Sequence, residues 1–97
     1  SSFSYLNLAL IHIYGINVPK DYDKGEELLL QSVALDNPFA YKYLALIEEE
    51  IKHNLDKAIA YLKKGADVGD EAAMTNLAGY YMEGHGVPLN RNKAIKL

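Results

Sequence analysis

Apolar and small residues recur along this chain at helical spacing, in bursts separated by breaks that carry glycine, asparagine and proline. In one burst the stripe is Ala73, Leu77, Ala78 and Tyr81, positions that share one face of a helix and predict a packed seam along it. The bursts resemble one another. Laid against itself, the chain aligns SYLNLA at Ser4 to Ala9, AYKYLA at Ala40 to Ala45 and AMTNLA at Ala73 to Ala78. The Leu-Ala pair recurs as Leu8-Ala9, Leu44-Ala45 and Leu77-Ala78, at offsets of 36 and 33 residues. A period of this size marks stacked units of supersecondary structure.

Three residues before each hexapeptide stands a capping residue, Ser1, Asn37 or Asp70, whose side-chain oxygen can accept from the free N–H groups of a first helical turn. Pro38 follows Asn37 at the position where a missing N–H costs nothing. A second helix in each copy is announced by Asp21, Asn54 or Asn90, with a lysine three residues later at Lys24, Lys57 or Lys93. The inward stripe of the second helix is Gly25, Leu28, Leu29, Ser32 and Val33 in the first copy and Ala58, Tyr61, Leu62, Gly65 and Ala66 in the next. Small residues in it predict a close approach of helices, and Asp36 and Gly69 after it suit a left-handed turn into the following repeat.

The shorter offset places a three-residue deletion between the two helices of the middle copy, which reads EEEIKHN where the others read YGINVPKD and EGHGVPLN. The last segment, with its glycines around His85, invites a reading as an anion or metal loop. The repeat assigns it to a turn instead. Gly84 stops a helix, Gly86 permits a positive φ, Val87 tucks under, Pro88 blocks continuation and Asn90 caps the next helix, a series repeated by Gly15, Asn17, Val18, Pro19 and Asp21. A phosphate loop would need a preceding strand and a Lys-Ser or Lys-Thr pair, and neither is present.

Composition narrows the function classes further. At 97 residues this is one small domain, residues 1–97, with a formal net charge of −3 and no tail of like charge to suggest nucleic acid. The absence of cysteine removes disulfides and thiolate metal sites, and leaves the redox compartment unreadable. No apolar run reaches the roughly 20 residues needed to span a bilayer, so the chain reads as soluble, with no membrane insertion and no compartment assigned. A longer parent with its own targeting signal stays open. His12, His53 and His85 show no metal-ligand spacing. Glu48, Glu49 and Glu50 point in three directions from a helix and read as a solvated helix end. Tyr22, Tyr61 and Tyr81 fall at core spacing, and Lys63 with Lys64 is too small a basic patch to track phosphates. The expectation is therefore no enzyme, no cofactor and no metal.

The third copy, with Ala73, Leu77, Ala78, Tyr81, Gly84, Gly86, Val87, Asn90, Lys93 and Ala94 in register, resembles the Sel-one-like repeat, a helix-turn-helix relative of the tetratricopeptide repeat. The resemblance covers the chain, weakening in the middle copy, and His12 and Glu48 depart from it where Tyr81 fits. It implies an all-α fold: a right-handed α-solenoid of stacked antiparallel helix pairs, about two and a half repeats, at about 1–36, 37–69 and 70–97, the last incomplete. It also implies an adaptor or scaffold that binds a protein or peptide on its concave face. The competing reading is a purely architectural segment of a larger protein whose activity lies elsewhere.

Two expectations concern surfaces. If Leu8, Ala9 and His12 pack on the second helices, the opposite side of the first helices presents Leu6, Asn7, Leu10 and Tyr14, then Lys42, Tyr43, Leu46 and Glu50, then Thr75, Asn76, Gly79 and Glu83. Asparagines there can bond a peptide backbone, tyrosines offer rigid contact area, and Glu50 with Glu83 favours a basic segment. The alternative is that Leu6, Leu10 and Leu46 pack against neighbouring repeats. At the other end, Ala94 and Leu97 begin a stripe that stops short, so either self-association through this end or a longer natural chain is expected.

Overall fold

A computed structural model describes residues 1–97 as six helices. They are α1 (Ser2–Tyr14), α2 (Tyr22–Ala34), α3 (Tyr41–Leu46), α4 (Leu55–Asp67), α5 (Glu71–Glu83) and α6 (Arg91–Lys96). A 3₁₀ turn, Pro38–Ala40, leads into α3, and a π-helical turn, Ile47–Ile51, prolongs it. Successive helices pack in pairs, α1 on α2, α3 on α4 and α5 on α6, and each pair stacks on the next through α2 against α3 and α4 against α5. The result is an elongated stack of 42 × 25 × 17 Å.

Local chemistry places the helix starts. Asp21, Asn54 and Asn90 each accept the backbone N–H of the lysine three residues on, at 3.0, 3.1 and 3.0 Å. Ser1 and Asp70 cap α1 and α5 in the same way, while Asn37 takes the N–H of Phe39 and starts the 3₁₀ turn. Left-handed residues stand where the repeat turns: Gly15 and Gly84 end first helices, Asn17, His53 and Gly86 turn the loops between paired helices, and Asp36 and Gly69 turn each repeat into the next. Gly86 needs both its conformation and its size, because a Cβ there would fall 2.6 Å from Ile59 Cδ1 and 2.7 Å from Leu55 Cδ2.

The core divides into two clusters, one at each repeat junction. The first gathers Leu6, Ala9 and Ile13 of α1, Leu28 and Leu29 of α2, and Ala40, Leu44 and Ile47 of the second repeat. The other joins Ala45, Ala58, Ile59 and Leu62 to Ala73, Leu77, Tyr81 and Ala94. The side of α1 turned toward α2 is therefore Leu6–Ala9–Ile13, and Leu8 is 42% exposed, correcting its assignment as a packing residue. Its equivalents Leu44 and Leu77 are buried against α2 and α4 of the preceding repeats.

The middle repeat absorbs its deletion through the π-helical turn. In the long-loop repeats the cap residue of the second helix donates its N–H to a carbonyl nine residues back, Asp21 to His12 and Asn90 to Tyr81, each at 2.9 Å. Asn54 makes the equivalent bond to Glu48 at 2.7 Å across only six residues. This draws Glu48 into the slot that Tyr81 fills in the next repeat, where it is 2% exposed. The expectation of a solvated helix end is thus corrected for Glu48.

A buried carboxylate must be paired, and Glu48 lies 3.5 Å from Lys57 and 3.7 Å from Lys52, while Lys52 lies 2.5 Å from Glu26 of α2. The hydrogen bond to Glu26 is the main reason the Lys52 ammonium titrates above its usual range. The same repeat lysine thus serves two partners: Lys93 sits 4.7 Å above the ring of Tyr81, and Lys57 pairs with the carboxylate that replaces the ring. Glu26 likewise stands where α4 has Ile59, so the first junction uses ion pairs where the second rests Gly86 on an apolar surface.

Candidate protein-binding face

The side chains singled out for the concave face divide by burial. Leu6 is 8% exposed and belongs to the core, a correction to its place on a binding face. Leu10 and Tyr43 are half-buried and pack against the same cluster. The physical reason is that α1 and α3 lie against α2, which leaves no fully free apolar stripe. Asn7, Tyr14, Glu50, Thr75, Asn76, Gly79 and Glu83 are exposed, and Lys42 and Leu46 are intermediate. Lys42 folds back so that its Nζ stands 4.9 Å from the centre of the Tyr43 ring.

Two depressions gather these residues. Tyr14, Leu46 and Glu50 share one with Ile13, Tyr22 and Ile51, an apolar hollow with Glu50 and Lys20 at its border. Thr75, Asn76, Gly79 and Glu83 line another with Tyr80, and it is polar apart from that ring. Asn7 and Lys42 border neither. Ile13, Tyr22, Ile51 and Tyr80 were missing from the sequence reading of this surface. Tyr80 is the one the repeat points to, since it aligns with Ile47, which packs with α2 of the preceding repeat.

Tyr80 links the two neighbouring repeats. Its hydroxyl donates to the Glu49 carboxylate, and its ring stacks on His85 with centroids 5.4 Å apart and planes inclined by 17°. The other oxygen of Glu49 lies 3.4 Å from His85 Nε2. The phenol is pushed above its ordinary range, first by burial, then by its bond to Glu49 and the charges of Glu49 and Glu50. Burial also raises Tyr61. For these phenols and for Lys52 the fold favours the protonated form, so the stability these groups contribute is fully present below pH about 10 and is lost as pH climbs through the raised values. Melting followed by circular dichroism at about pH 9 and about pH 11 should show a clear fall, and Tyr80→Phe should shrink it. An equal fall in that variant would mean that the Tyr80 phenol does not carry the effect.

No group of three or more His, Asp or Glu side chains is placed to hold a metal ion, and no helix is long and apolar enough to cross a membrane.

The model of the Sel1 repeat family matches residues 2–37, 38–70 and 71–97. Among solved structures, a Sel1 repeat protein from Oxalobacter formigenes superposes with a TM-score of 0.92 at 22% identity, over 99% of this chain and 40% of that one. The protein c5321, a protective antigen present in uropathogenic Escherichia coli strains and displaying an SLR fold, superposes with a TM-score of 0.83 at 33% identity, over 99% of this chain and 21% of that one. The chain therefore spans less than half the length of either. No curated protein matches it. Sel1 repeat proteins are generally non-catalytic helical scaffolds for protein interaction. Three consecutive matches covering nearly every residue, on a fold of three stacked helix pairs, place this chain in the Sel1 repeat family, as an all-α solenoid.

Proposed function

We propose that this chain is a protein-interaction module whose first helices hold an extended segment of a partner, with an apolar anchor at the first two repeats and a basic stretch toward the third. The observation that carries the reading is the order of the two depressions along the stack. The hollow of Tyr14, Tyr22, Leu46 and Ile51 can bury an apolar side chain, and the shelf of Thr75, Asn76 and Glu83 offers polar and acidic groups to the next part of the segment. Glu50 and Glu83 supply the charge that attracts lysine or arginine and sets direction. The competing reading, a purely architectural spacer, accounts less well for a tyrosine as exposed as Tyr14 at the mouth of an apolar hollow.

The test is selection from a displayed library of random twelve-residue peptides, counter-selected on a Glu50→Lys, Glu83→Lys double variant. Both positions are exposed, so the variant should melt within about 2 °C of the parent, as surface substitutions do. Peptides with an apolar residue followed by basic ones should be enriched and should bind the variant and Tyr14→Ala at least tenfold more weakly, with Lys63→Ala unchanged. Failure to enrich any sequence, or binding indifferent to the charge reversal, would favour the spacer.

A further inference from the structure

We propose a second docking surface, separate from the concave face, at the edge where the first helices begin: a trough that takes an apolar side chain flanked by lysine or arginine from a partner protein. The chain has only two phenylalanines, and the fold buries neither. Phe3 and Phe39, equivalent positions of successive repeats, are 59% and 50% exposed, with ring centroids 6.3 Å apart. Val68, just beyond α4, is 61% exposed. Single exposed apolar residues are ordinary, but an aromatic pair beside an apolar trough is a patch of the kind that marks an interaction site.

The trough runs along the junction between repeats. Val33, Pro38, Tyr41 and Val68 form its apolar part on one side. A neighbouring depression shares Pro38 and Val68 with it and adds Phe39, Gly69 and Ala72. At Gly69 the way is open, since a Cβ there would meet nothing within 4 Å.

Charge selects the occupant. The charged residues lining the trough and the neighbouring depression are Asp36, Asp70 and Glu71, and no lysine or arginine does so. Asp70 is buried and spends its carboxylate on the N–H of Ala73, but Asp36 and Glu71 are exposed. Apolar walls with acidic borders fit an apolar side chain between basic neighbours. They disfavour a second copy of this chain, which carries net charge −3 and would bring the same carboxylates against each other.

Nitrogen-15-labelled chain titrated with three capped heptapeptides, differing only in a central Lys-Leu-Lys, Lys-Ala-Lys or Glu-Leu-Glu, tests this by amide chemical shifts. Lys-Leu-Lys should give saturable shifts at Asp36, Phe39, Gly69 and Ala72, with at least tenfold weaker binding of the other two. Phe39→Ser with Val68→Ser should abolish the shifts without changing the melting temperature. Asp36→Asn with Glu71→Gln should remove the preference for lysine. The proposal is overturned if no shift saturates, if Glu-Leu-Glu binds equally well, if the shifts fall on Thr75, Asn76 and Glu83 instead, or if Phe3 and Phe39 shift with protein concentration alone, which would identify a second copy as the occupant.

Discussion

Gly65→Val should lower the melting temperature by roughly 10 to 20 °C, an effect of about 2–3 kcal/mol for overpacking in a domain of this size. Gly65 lies in α4 where three helices meet, and a Cβ added there would fall 2.6 Å from Ala73 Cβ of α5 and 3.1 Å from Tyr41 Cβ of α3. Both neighbours are atoms fixed to their own backbones, so no rotamer change relieves the overlap, and α5 must move away from α4. Gly79→Ala is the control. A Cβ there meets nothing within 4 Å, and replacing a helical glycine by alanine should stabilise by up to about 1 kcal/mol. Thermal melts with amide hydrogen exchange check the pair, with the loss of protection in Gly65→Val concentrated in α5 and α6. Melting of that variant within a few degrees of the parent would show that α4 and α5 can separate at little cost.

Such close contacts were legible in the sequence because they belong to the repeat. The caps at Asp21, Asn54, Asp70 and Asn90 and the left-handed Asp36, Gly69 and Gly84 follow from short-range chemistry, and the structure has each where the spacing puts it. Glu48 was not legible in this way. Its residue type says solvent, its repeat position says core, and the position prevails because Lys52 and Lys57 are at hand to pair it. The same limit applies to the candidate face. Helical spacing fixes the angle at which Leu6 leaves α1 but not whether α2 lies in that direction, so a residue assigned to a surface turned out to be core. Tyr80 shows the converse: its position faces the preceding repeat, and only the fold shows that Glu49 lies within reach of its hydroxyl.

The sharpest consequence is that one repeat position should have two energetic values in the same molecule. Leu8 and Leu44 occupy equivalent places in first helices, each followed by alanine, yet Leu44 is 1% exposed within the core formed with α2, and Leu8 is 42% exposed. Leu44→Ala removes buried methyl groups and leaves a cavity between α2 and α3 that rigid helices close only in part, which costs about 2–5 kcal/mol. Leu8→Ala strips atoms that already face water and should cost less than about 1 kcal/mol. Domains of this kind carry about 5–15 kcal/mol in all, so the first substitution removes a large share of the total. Urea unfolding separates the two cases, through a much lower midpoint for Leu44→Ala at an unchanged slope and a small shift for Leu8→Ala. Equal costs would mean that Leu8 is covered in solution. Unequal costs would show that a leucine in this repeat gains most of its stabilising effect from the second helix of the repeat before it. In a solenoid that contact is made between units, and no unit can form it alone.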